Sequence, residues 1–526
     1  MNAITTRRSI LTGFASAALL GLTTRGSLAL DRFGSTGFEN LHSRDDGRNF
    51  KTSHPAAPST ISSQAIEISS TKSAGSLDLT NYHDVSVVRW LPTSPLAQAW
   101  YTRVDREPRH QMKFRDANSN WFEIAEPEIN VICAGAVPGH SDVYSANNTE
   151  AIQRALDVGR SVLIPPGLYS VGTIHVRWPG QVIENYGTLQ WNGNGSDYAF
   201  PLLILEACAV GAEFRNLGIV DHRGTLWRSA AALPAVSNRA MESCVLLMAD
   251  NCRFVGGGVK NAFDNGIAII NADLYTGVQK PGYPKFVRVL DVMTENCGVG
   301  LRTHDSLIGP HQAGSGINLL TGSFVLIRGC VDSGSRTNFI ADYGGGASGI
   351  FESCIGNGAA LSATGRVSFD GEEQMPGGMG VYCGSQNVRW SNIQISDPQS
   401  WGGWWDAYSA RNDIEMSVKG ARQGGILLSG SYNRLTARIT DCSTSSDGRY
   451  PAIRLRGGAY SGQTIEDSVH QRLLSCVTDG EMQSFGVEIL DGPLGQIVAG
   501  RSDACEFRGR RGEFYKSPHA TFNLNP

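Results

Sequence analysis

The segment that most constrains the fold is residues 135–171, where one short helix is followed at once by two very short strands. Asn148 or Thr149 is placed to cap the helix, and apolar residues recur at helical spacing through the turns that follow. The runs 162–164 and 168–171 then indicate strands on either side of a forced Pro-Pro-Gly turn. The segment therefore predicts a single helix at the head of a body built from very short strands.

The rest of the chain continues in short apolar runs separated by Gly, Asn, Asp and Ser turns. No amphipathic helix of useful length follows Leu156, which argues against a doubly wound sheet or a barrel of alternating strands and helices. A jelly roll or a propeller is the alternative, but neither accounts for the helix at the start. The clearest apolar runs are residues 243–248, 266–270, 316–320 and 425–428.

The opening segment G-A-V-P-G-H-S-D-V-Y-S-A-N-N-T-E-A-I-Q-R-A-L and the turn P-P-G-L-Y resemble the start of pectate-lyase-like proteins. Residues 147–149 are Asn-Asn-Thr where that family has Asp-Asp-Thr. The resemblance implies an all-β fold, a right-handed parallel β-helix or solenoid with a short N-terminal capping helix. A small N-terminal β element precedes it, with a hairpin predicted around residues 118–120, and is similar to short elements of tailspike-like proteins.

The sequence divides into five parts. Residues 1–29 form a signal peptide, and the Ser- and Thr-rich residues 30–80 are expected to be a disordered linker. The N-terminal β element covers 81–132, the parallel β-helix 133–510 and a C-terminal tail 511–526.

The predicted signal contains adjacent arginines, Arg7 and Arg8, before the weakly apolar run 14–22 and a small-x-small cleavage signal at 27–29. This is the arrangement of a bacterial twin-arginine signal, and an ordinary secretory signal is the alternative. The apolar run is shorter than the roughly 20 residues that a membrane span requires. We therefore expect a periplasmic or extracellular protein without a membrane partner.

Charge and cysteine content narrow the partners further. A net charge of -4 over 526 residues gives no electrostatic reason to expect a nucleic acid partner. The odd count of 11 cysteines, together with folding before export in a reducing compartment, favours free thiols. No Cys-x-x-Cys or Cys-x-x-His spacing occurs, so neither a metal site nor another cofactor is expected. Five cysteines end apolar runs just before turns, which predicts equivalent buried positions on successive coils: Cys252, Cys297, Cys330, Cys354 and Cys476.

The resemblance implies an enzyme that cleaves polysaccharide, either a glycoside hydrolase or a polysaccharide lyase. Carboxylates outnumber lysines in the middle coils, which favours the hydrolase with its pair of acid and base carboxyl groups. Calcium is expected only if the enzyme is a lyase. A uronate epimerase and a non-catalytic attachment solenoid remain alternatives, and a homotrimer is left open because tailspike-like proteins often form one.

The candidate catalytic residues lie near strand ends in the middle coils. Asp264 in A-F-D-N-G-I-A-I is similar to the D-D-x-I-A-I element of polygalacturonases, and a turn-forming Asp is the alternative. Asp342 follows a predicted strand. One loop adds two further catalytic candidates, His304 and Asp305, and two candidates for binding an anionic sugar, Arg302 and His311, unless that loop is simply a solvated turn.

Four aromatic residues within eight positions form a second kind of candidate site. Trp401, Trp404, Trp405 and Tyr408 are interrupted by glycines, which we expect to leave ring faces open for stacking on sugar rings. Burial of the same rings in the core is the alternative.

Overall fold

The protein is described by a computed structural model. All described residues belong to one compact unit made of Ala65–Tyr460 and Ile465–Pro526. The predicted signal peptide and most of the predicted linker lie outside the described residues. Those residues are 67–68, 71–91, 94–139, 145–192, 201–224, 242–270, 284–299, 314–335, 338–342, 348–357, 367–369, 372–374, 379–406, 408–444, 449–456, 468–479, 483–491 and 497–524.

The chain is a right-handed parallel β-helix, as predicted. In its described part, one long sheet has 22 strands and a short sheet has 12, and neighbouring strands in both run parallel. Each coil contributes strands to both sheets, so successive coils stack directly on one another. Crossovers between parallel strands of one sheet are right-handed in nearly all proteins.

The strands of the long sheet are Glu128–Asn130, Ser161–Ile164, Leu168–Val171, Val182–Asn185, Thr188–Trp191, Glu213–Asn216, Ile219–Asp221, Arg253–Val255, Gly258–Lys260, Arg288–Leu290, Met293–Glu295, Leu326–Arg328, Val331–Ser333, Ile350–Glu352, Ile355–Asn357, Arg389–Ser396, Asp413–Lys419, Asn433–Thr440, Ser468–Leu474, Val477–Asp479, Ile497–Asp503 and Thr521–Leu524. Those of the short sheet are Ile174–Val176, Leu203–Leu205, Val245–Leu247, Ile267–Ile269, Ile317–Leu319, Asn338–Asp342, Met379–Cys383, Gly403–Trp405, Ile426–Leu428, Ile453–Arg456, Phe485–Leu490 and Gly512–Lys516. A separate antiparallel pair is formed by Val367–Phe369 and Glu372–Gln374.

These strands extend the β-helix at both ends. It begins at Glu128–Asn130 rather than residue 133, and the expected tail supplies the last strand of each sheet.

The small N-terminal sheet also begins before residue 81, because Glu67–Ile68 pairs with Asp84–Leu91 and Leu79 is buried. The end of the predicted linker is therefore folded. The strands of this sheet are Glu67–Ile68, Asp84–Leu91, Ser94–Val104, Lys113–Arg115 and Trp121–Ile124, and the last two form the predicted hairpin.

Three helices occur in the described residues: Thr71–Ala74, Val131–Ala134 and Ser145–Leu156. The third is the predicted opening helix, but it begins before Asn148 and Thr149. Asn148 instead accepts a hydrogen bond from the Val137 amide at 2.7 Å, and Thr149 accepts one from the Gly172 amide at 2.7 Å. Both side chains therefore tie the helix to neighbouring segments rather than capping it.

Glycine allows the sheets to meet closely just before the short-sheet strands. A Cβ atom on Gly316 would lie 2.5 Å from Thr294 Oγ1 and 2.7 Å from Asp332 Oδ1, both inside the coil. Glycine precedes several other strands of this sheet in the same way. The close approach explains why glycine recurs before the apolar runs noted in the sequence.

Left-handed residues form a row along one corner of the β-helix. Each lies two residues before the point where the next long-sheet strand starts to pair in register. Asparagine and glycine adopt this conformation most readily, whereas bulky side chains rarely do. The row, on successive coils, is Asn251, Phe286, Phe324, Ser348, Asn387, Arg411 and Tyr432.

The cysteines are free, and eight of the eleven are buried. Cys330 lies beside Cys354 on the next coil, because the residues that follow them pair in register. Cys476 and Cys505 are stacked in the same way, with the Cys476 amide 3.3 Å from the Cys505 sulfur. The predicted stacking is thus confirmed for Cys330 and Cys354 and wrong for a single continuous row of the five, because Cys476 stacks on Cys505, which is not one of them. Two of the predicted cysteines lie in other rows: Cys252 and Cys297.

Candidate functional site

Asp264 is buried at the corner before the strand Ile267–Ile269. Its Oδ1 accepts a hydrogen bond from the Gly314 amide at 2.6 Å, and its own amide lies 3.4 Å from the Glu242 carbonyl oxygen. The carboxylate therefore connects its own corner to the corner of the next coil. This is close to the turn-forming alternative.

Asp342 ends a strand of the short sheet and faces the interior of the coil. Its register partners, Leu319 and Cys383, both belong to the hydrophobic core. Ser385 donates a hydrogen bond to Asp342 Oδ1 at 2.5 Å. Burial, and then the charge of Asp342, raises the pKa of the Cys383 thiol. This carboxylate is therefore an interior group.

The structure does not bring Asp264 and Asp342 together. Ile267 is in register with Ile317, and Ile317 with Ile340. Asp264 lies three residues before Ile267, and Asp342 lies two residues after Ile340, two coils away. Five residues along the strands and two strand spacings place the Cα atoms roughly 15–19 Å apart. Because glycosidase carboxyl pairs are about 5–9.5 Å apart, Asp264 and Asp342 cannot form such a pair with each other.

The other predicted catalytic and sugar-binding residues of the middle coils lie outside the described residues and stay predictions: Arg302, His304, Asp305 and His311.

The expected open platform of tryptophans is wrong, because Trp401, Trp404 and Trp405 are fully buried. Glycines make room for the rings instead of exposing them. A Cβ on Gly424 would lie 2.1 Å from the Trp401 ring, and one on Gly403 would lie 2.6 Å from the Trp405 ring. The fourth member of the platform, half-buried Tyr408, donates its amide proton to Asp406 Oδ1 at 2.8 Å.

The outward face of the short sheet changes character along the β-helix. We call the outward-pointing residues in register on its strands from Leu203–Leu205 to Phe485–Leu490 the outer row. The row is apolar in the early coils and becomes aromatic and charged later, yet it is almost entirely buried through Arg454. In register order the row contains Ile204, Leu246, Ala268, Asn318, Ala341, Tyr382, Trp404, Leu427, Arg454 and Glu488.

Asp406 lies beside the outer row, directly after the inward-facing Trp405. The Tyr382 hydroxyl donates a hydrogen bond to Asp406 Oδ2 at 2.5 Å. Its Oδ1 accepts from the Tyr408 amide at 2.8 Å and the Ser409 amide at 3.2 Å. One carboxylate oxygen thus fixes a turn, while the other faces the outer row.

A buried ion pair follows two coils further along. Arg454 Nε donates to Glu488 Oε2 at 2.6 Å, and the two side chains are 10% and 14% exposed. The guanidinium carbon of Arg454 also lies 5.4 Å from the centre of the Trp401 ring. Removing both charges from water is costly, so such a pair is a poor source of stability by itself.

Within the described ranges, no group of three or more His, Cys, Asp or Glu side chains is placed to hold a metal ion. Among the described helices, none has the length and apolar character needed to cross a membrane.

The chain matches no protein-family model and no curated protein. Among solved structures it is similar to the A-module of the mannuronan C-5 epimerase AlgE6 of Azotobacter vinelandii, at 13% identity and TM-score 0.47, covering 76% of this chain and 99% of that one. It is also similar to the family 28 exopolygalacturonase of Yersinia enterocolitica, at 12% identity and TM-score 0.44, covering 81% and 83%. A third is the tailspike gp49 of the Acinetobacter baumannii bacteriophage Fri1, a capsular polysaccharide depolymerase, at 10% identity and TM-score 0.42, covering 86% and 76%. The fold is assigned from the strand pairing of the chain itself, and these likenesses carry no argument about its activity.

Proposed function

We propose that this protein is a polysaccharide-cleaving enzyme, a glycoside hydrolase in which Asp406 is a catalytic carboxyl group. The observation that carries the proposal is the hydrogen bond between the Tyr382 hydroxyl and Asp406 Oδ2 beside the outer row. A carboxylate held from behind by two backbone amides has a fixed orientation, as acid or base catalysis requires. Asp406 is itself only 2% exposed, and it differs from Asp342 in the direction of its carboxylate, which faces the outer row rather than the interior of the coil.

The charged end of the outer row supports an acidic substrate. Arg454 lies two coils from Asp406 and is aligned with Trp404, so the Cα atoms of Arg454 and Asp406 are about 12 Å apart at the usual strand spacing and rise. A guanidinium group at that distance is suited to the carboxylate of a neighbouring uronate residue. Arg454, which Glu488 now neutralises, would exchange this partner for the carboxylate of the substrate.

Hydrolysis requires a second carboxyl group within about 9.5 Å of the first. The sequence suggests Asp305 for this role and His304 as a further catalytic residue. Arg302 and His311 remain candidates for binding the sugar. We also propose that the protein is exported through a twin-arginine signal to the periplasm or the extracellular space. We propose a homotrimer as its oligomeric state. Independence from metal and other cofactors belongs to the hydrolase reaction as proposed.

The same pair also favours a second candidate, proton abstraction at C5 of a uronate by a lyase or an epimerase. Asp406 would act as the base and Tyr382 would relay the proton, while Arg454 or calcium would neutralise the uronate carboxylate. A carbohydrate-binding protein without activity is the remaining alternative.

The test compares Asp406→Asn with the interior control Asp342→Asn on polygalacturonate, alginate and neutral glycans. New reducing ends without absorbance from unsaturated uronate indicate hydrolysis. Unsaturated product indicates a lyase, and deuterium uptake from D2O without cleavage indicates an epimerase.

We expect Asp406→Asn to lower turnover at least about a hundredfold with little change in Tm, and Asp342→Asn to leave turnover within a few fold. Full activity of the Asp406 variant would refute the assignment. Binding of a glycan by the wild type with no product of any kind would replace the enzyme proposal by the attachment alternative.

A further inference from the structure

Two phenylalanines stand in the row of left-handed corner residues. Phe286 has φ 59° and Phe324 has φ 56°. Their rings stack with centroids 5.1 Å apart and planes 13° from parallel, and the residues are 48% and 49% exposed. Left-handed backbone at a bulky residue costs on the order of 1–3 kcal/mol, and the same conformation recurs at this corner on other coils, as at Tyr432. Solvent-exposed rings recover little of that cost by burial.

Three arginines lie on the outward face of the long sheet, two on the strands that follow the rings of this pair and one on the paired strand of the preceding coil. Arg288 follows Phe286 by two residues, and exposed and buried residues alternate between them, so both side chains point outward. Arg253 is the register partner of Arg288 on the preceding coil, and Arg328 lies on the following coil. The three cations therefore lie close to one another, with Arg288 two residues from Phe286 and Arg328 four residues from Phe324.

The charge of this cluster is only partly balanced. Arg253 lies 3.7 Å from Glu213, which already pairs with Arg215 at 2.8 Å. Neither Arg288 nor Arg328 has an ion-pair partner within the described part of the chain. Burial, and then the like charges of its two neighbours, lowers the pKa of Arg288. An arginine stays protonated at neutral pH even so, and a bound anion would relieve the repulsion.

We propose that these five residues form a binding site for an anionic, uronate-containing polysaccharide. We call them the aromatic–arginine corner: Phe286, Phe324, Arg253, Arg288 and Arg328. The apolar C–H face of a sugar ring packs on the exposed phenyl rings, and arginine binds its carboxylate in a bidentate manner. The combination of rings and cations distinguishes such a glycan from a neutral glycan and from a simple polyanion.

This site lies on the long sheet, away from Asp406 and the outer row of the short sheet. It would hold the polymer without taking part in the reaction. The inference rests on the proposed function only in taking polysaccharide as the ligand, and its test uses binding rather than turnover.

The sequence supplies a matched substitution for the rings. Asn251 and Asn387 occupy the same left-handed position on other coils. The double variant Phe286→Asn/Phe324→Asn therefore removes both rings while keeping a residue that accepts this backbone. We expect its Tm to be unchanged or higher, so a loss of binding would not reflect misfolding.

The experiment is affinity electrophoresis, which measures how strongly each protein is retarded in gels containing polygalacturonate, dextran or dextran sulfate. We expect the double variant to bind polygalacturonate about tenfold more weakly, and Arg288→Gln to bind at least about tenfold more weakly. Tyr432→Asn, an exposed aromatic four coils from Phe324 in the same row, should match the wild type. The wild type should not be retarded by dextran.

Polygalacturonate binding that is equal in the wild type and the double variant would overturn the proposal. Equal retardation by dextran sulfate and polygalacturonate, unaffected by loss of the rings, would also overturn it, because charge alone would then explain binding. The Asp406→Asn variant should bind as the wild type does. If the aromatic–arginine corner does not bind polygalacturonate, the catalytic proposal for Asp406 is unaffected. If the protein has no enzymatic activity, binding at the corner can still be measured.

Discussion

Replacing Asp332 by asparagine should change the free energy of unfolding, relative to the wild type, more favourably at neutral pH than in acid. Asp332 lies inside the coil, where its Oδ1 accepts hydrogen bonds from Thr294 Oγ1 at 2.6 Å and Ser335 Oγ at 2.5 Å. Burial raises the pKa of Asp332 from 3.8 to about 6, despite these hydrogen bonds. An asparagine oxygen can accept the same two hydrogen bonds without carrying a charge, but the amide nitrogen cannot accept the further hydrogen bonds that Asp332 receives from the backbone of Ser333 and Ser335.

The sign follows from proton binding. The folded protein holds this proton more tightly than the unfolded chain does, so the associated stability is fully present below pH 3.8. It is lost as the pH rises through about 6, and the rise in pKa corresponds to about 3 kcal/mol. Relative to the wild type, Asp332→Asn should therefore gain up to about 3 kcal/mol between pH 4 and pH 7.5.

The assay is equilibrium urea unfolding of both proteins at several pH values from 4 to 8. The quantity compared is how the difference in unfolding free energy between the two proteins changes with pH. A cost of the amide group that does not depend on pH therefore cancels. Asp116→Asn serves as a control of opposite sign. Burial alone would raise the pKa of Asp116, but hydrogen bonds from Asn120 and backbone amides leave it lowered. That variant should lose most stability at neutral pH. A wild-type-to-Asp332→Asn difference that does not change with pH would refute the reasoning.

Two further predictions concern the coil corners and a thiol pair. Gly316→Ala should cost about 3 kcal/mol in urea unfolding because its Cβ would meet Thr294 Oγ1 at 2.5 Å, whereas Gly334→Ala, at φ +71° in open space, should cost about 1 kcal/mol; equal costs would contradict the packing. Cys505, whose pKa the Cys476 hydrogen bond lowers to about 7, should be alkylated at a rate that levels off above that pH. Cys476→Ala removes the thiol of Cys476 but keeps its backbone amide, so it should move this rise to higher pH, and an unmoved profile would count against a hydrogen bond from the thiol.

Local sequence was sufficient for the elements that depend on neighbouring residues. The strands at 161–164 and 168–171 and the hairpin before Ile124 follow from turn residues and short apolar runs. The tryptophans were misjudged because the space for Trp401 is made by Gly424, on the next coil. No local spacing contains that contact.

The candidate site was harder to predict for the same reason. Register between coils decides which side chains meet, and loops of unequal length hide it in the sequence. Asp264 and Asp342 look equivalent as residues near strands, but one precedes its strand and the other ends it. Asp406 was recognisable only as an acid beside aromatics, and its partner Tyr382 became visible through strand pairing.

The stacking of coils also governs how the molecule can come apart. Apart from the small N-terminal sheet, each coil is held by the coils on either side of it, so breaking one layer need not release layers further away. Damage such as a proteolytic nick at an exposed corner would therefore leave blocks of intact layers. Digestion under mildly destabilising conditions should yield a ladder of nested fragments whose ends fall at the left-handed corners.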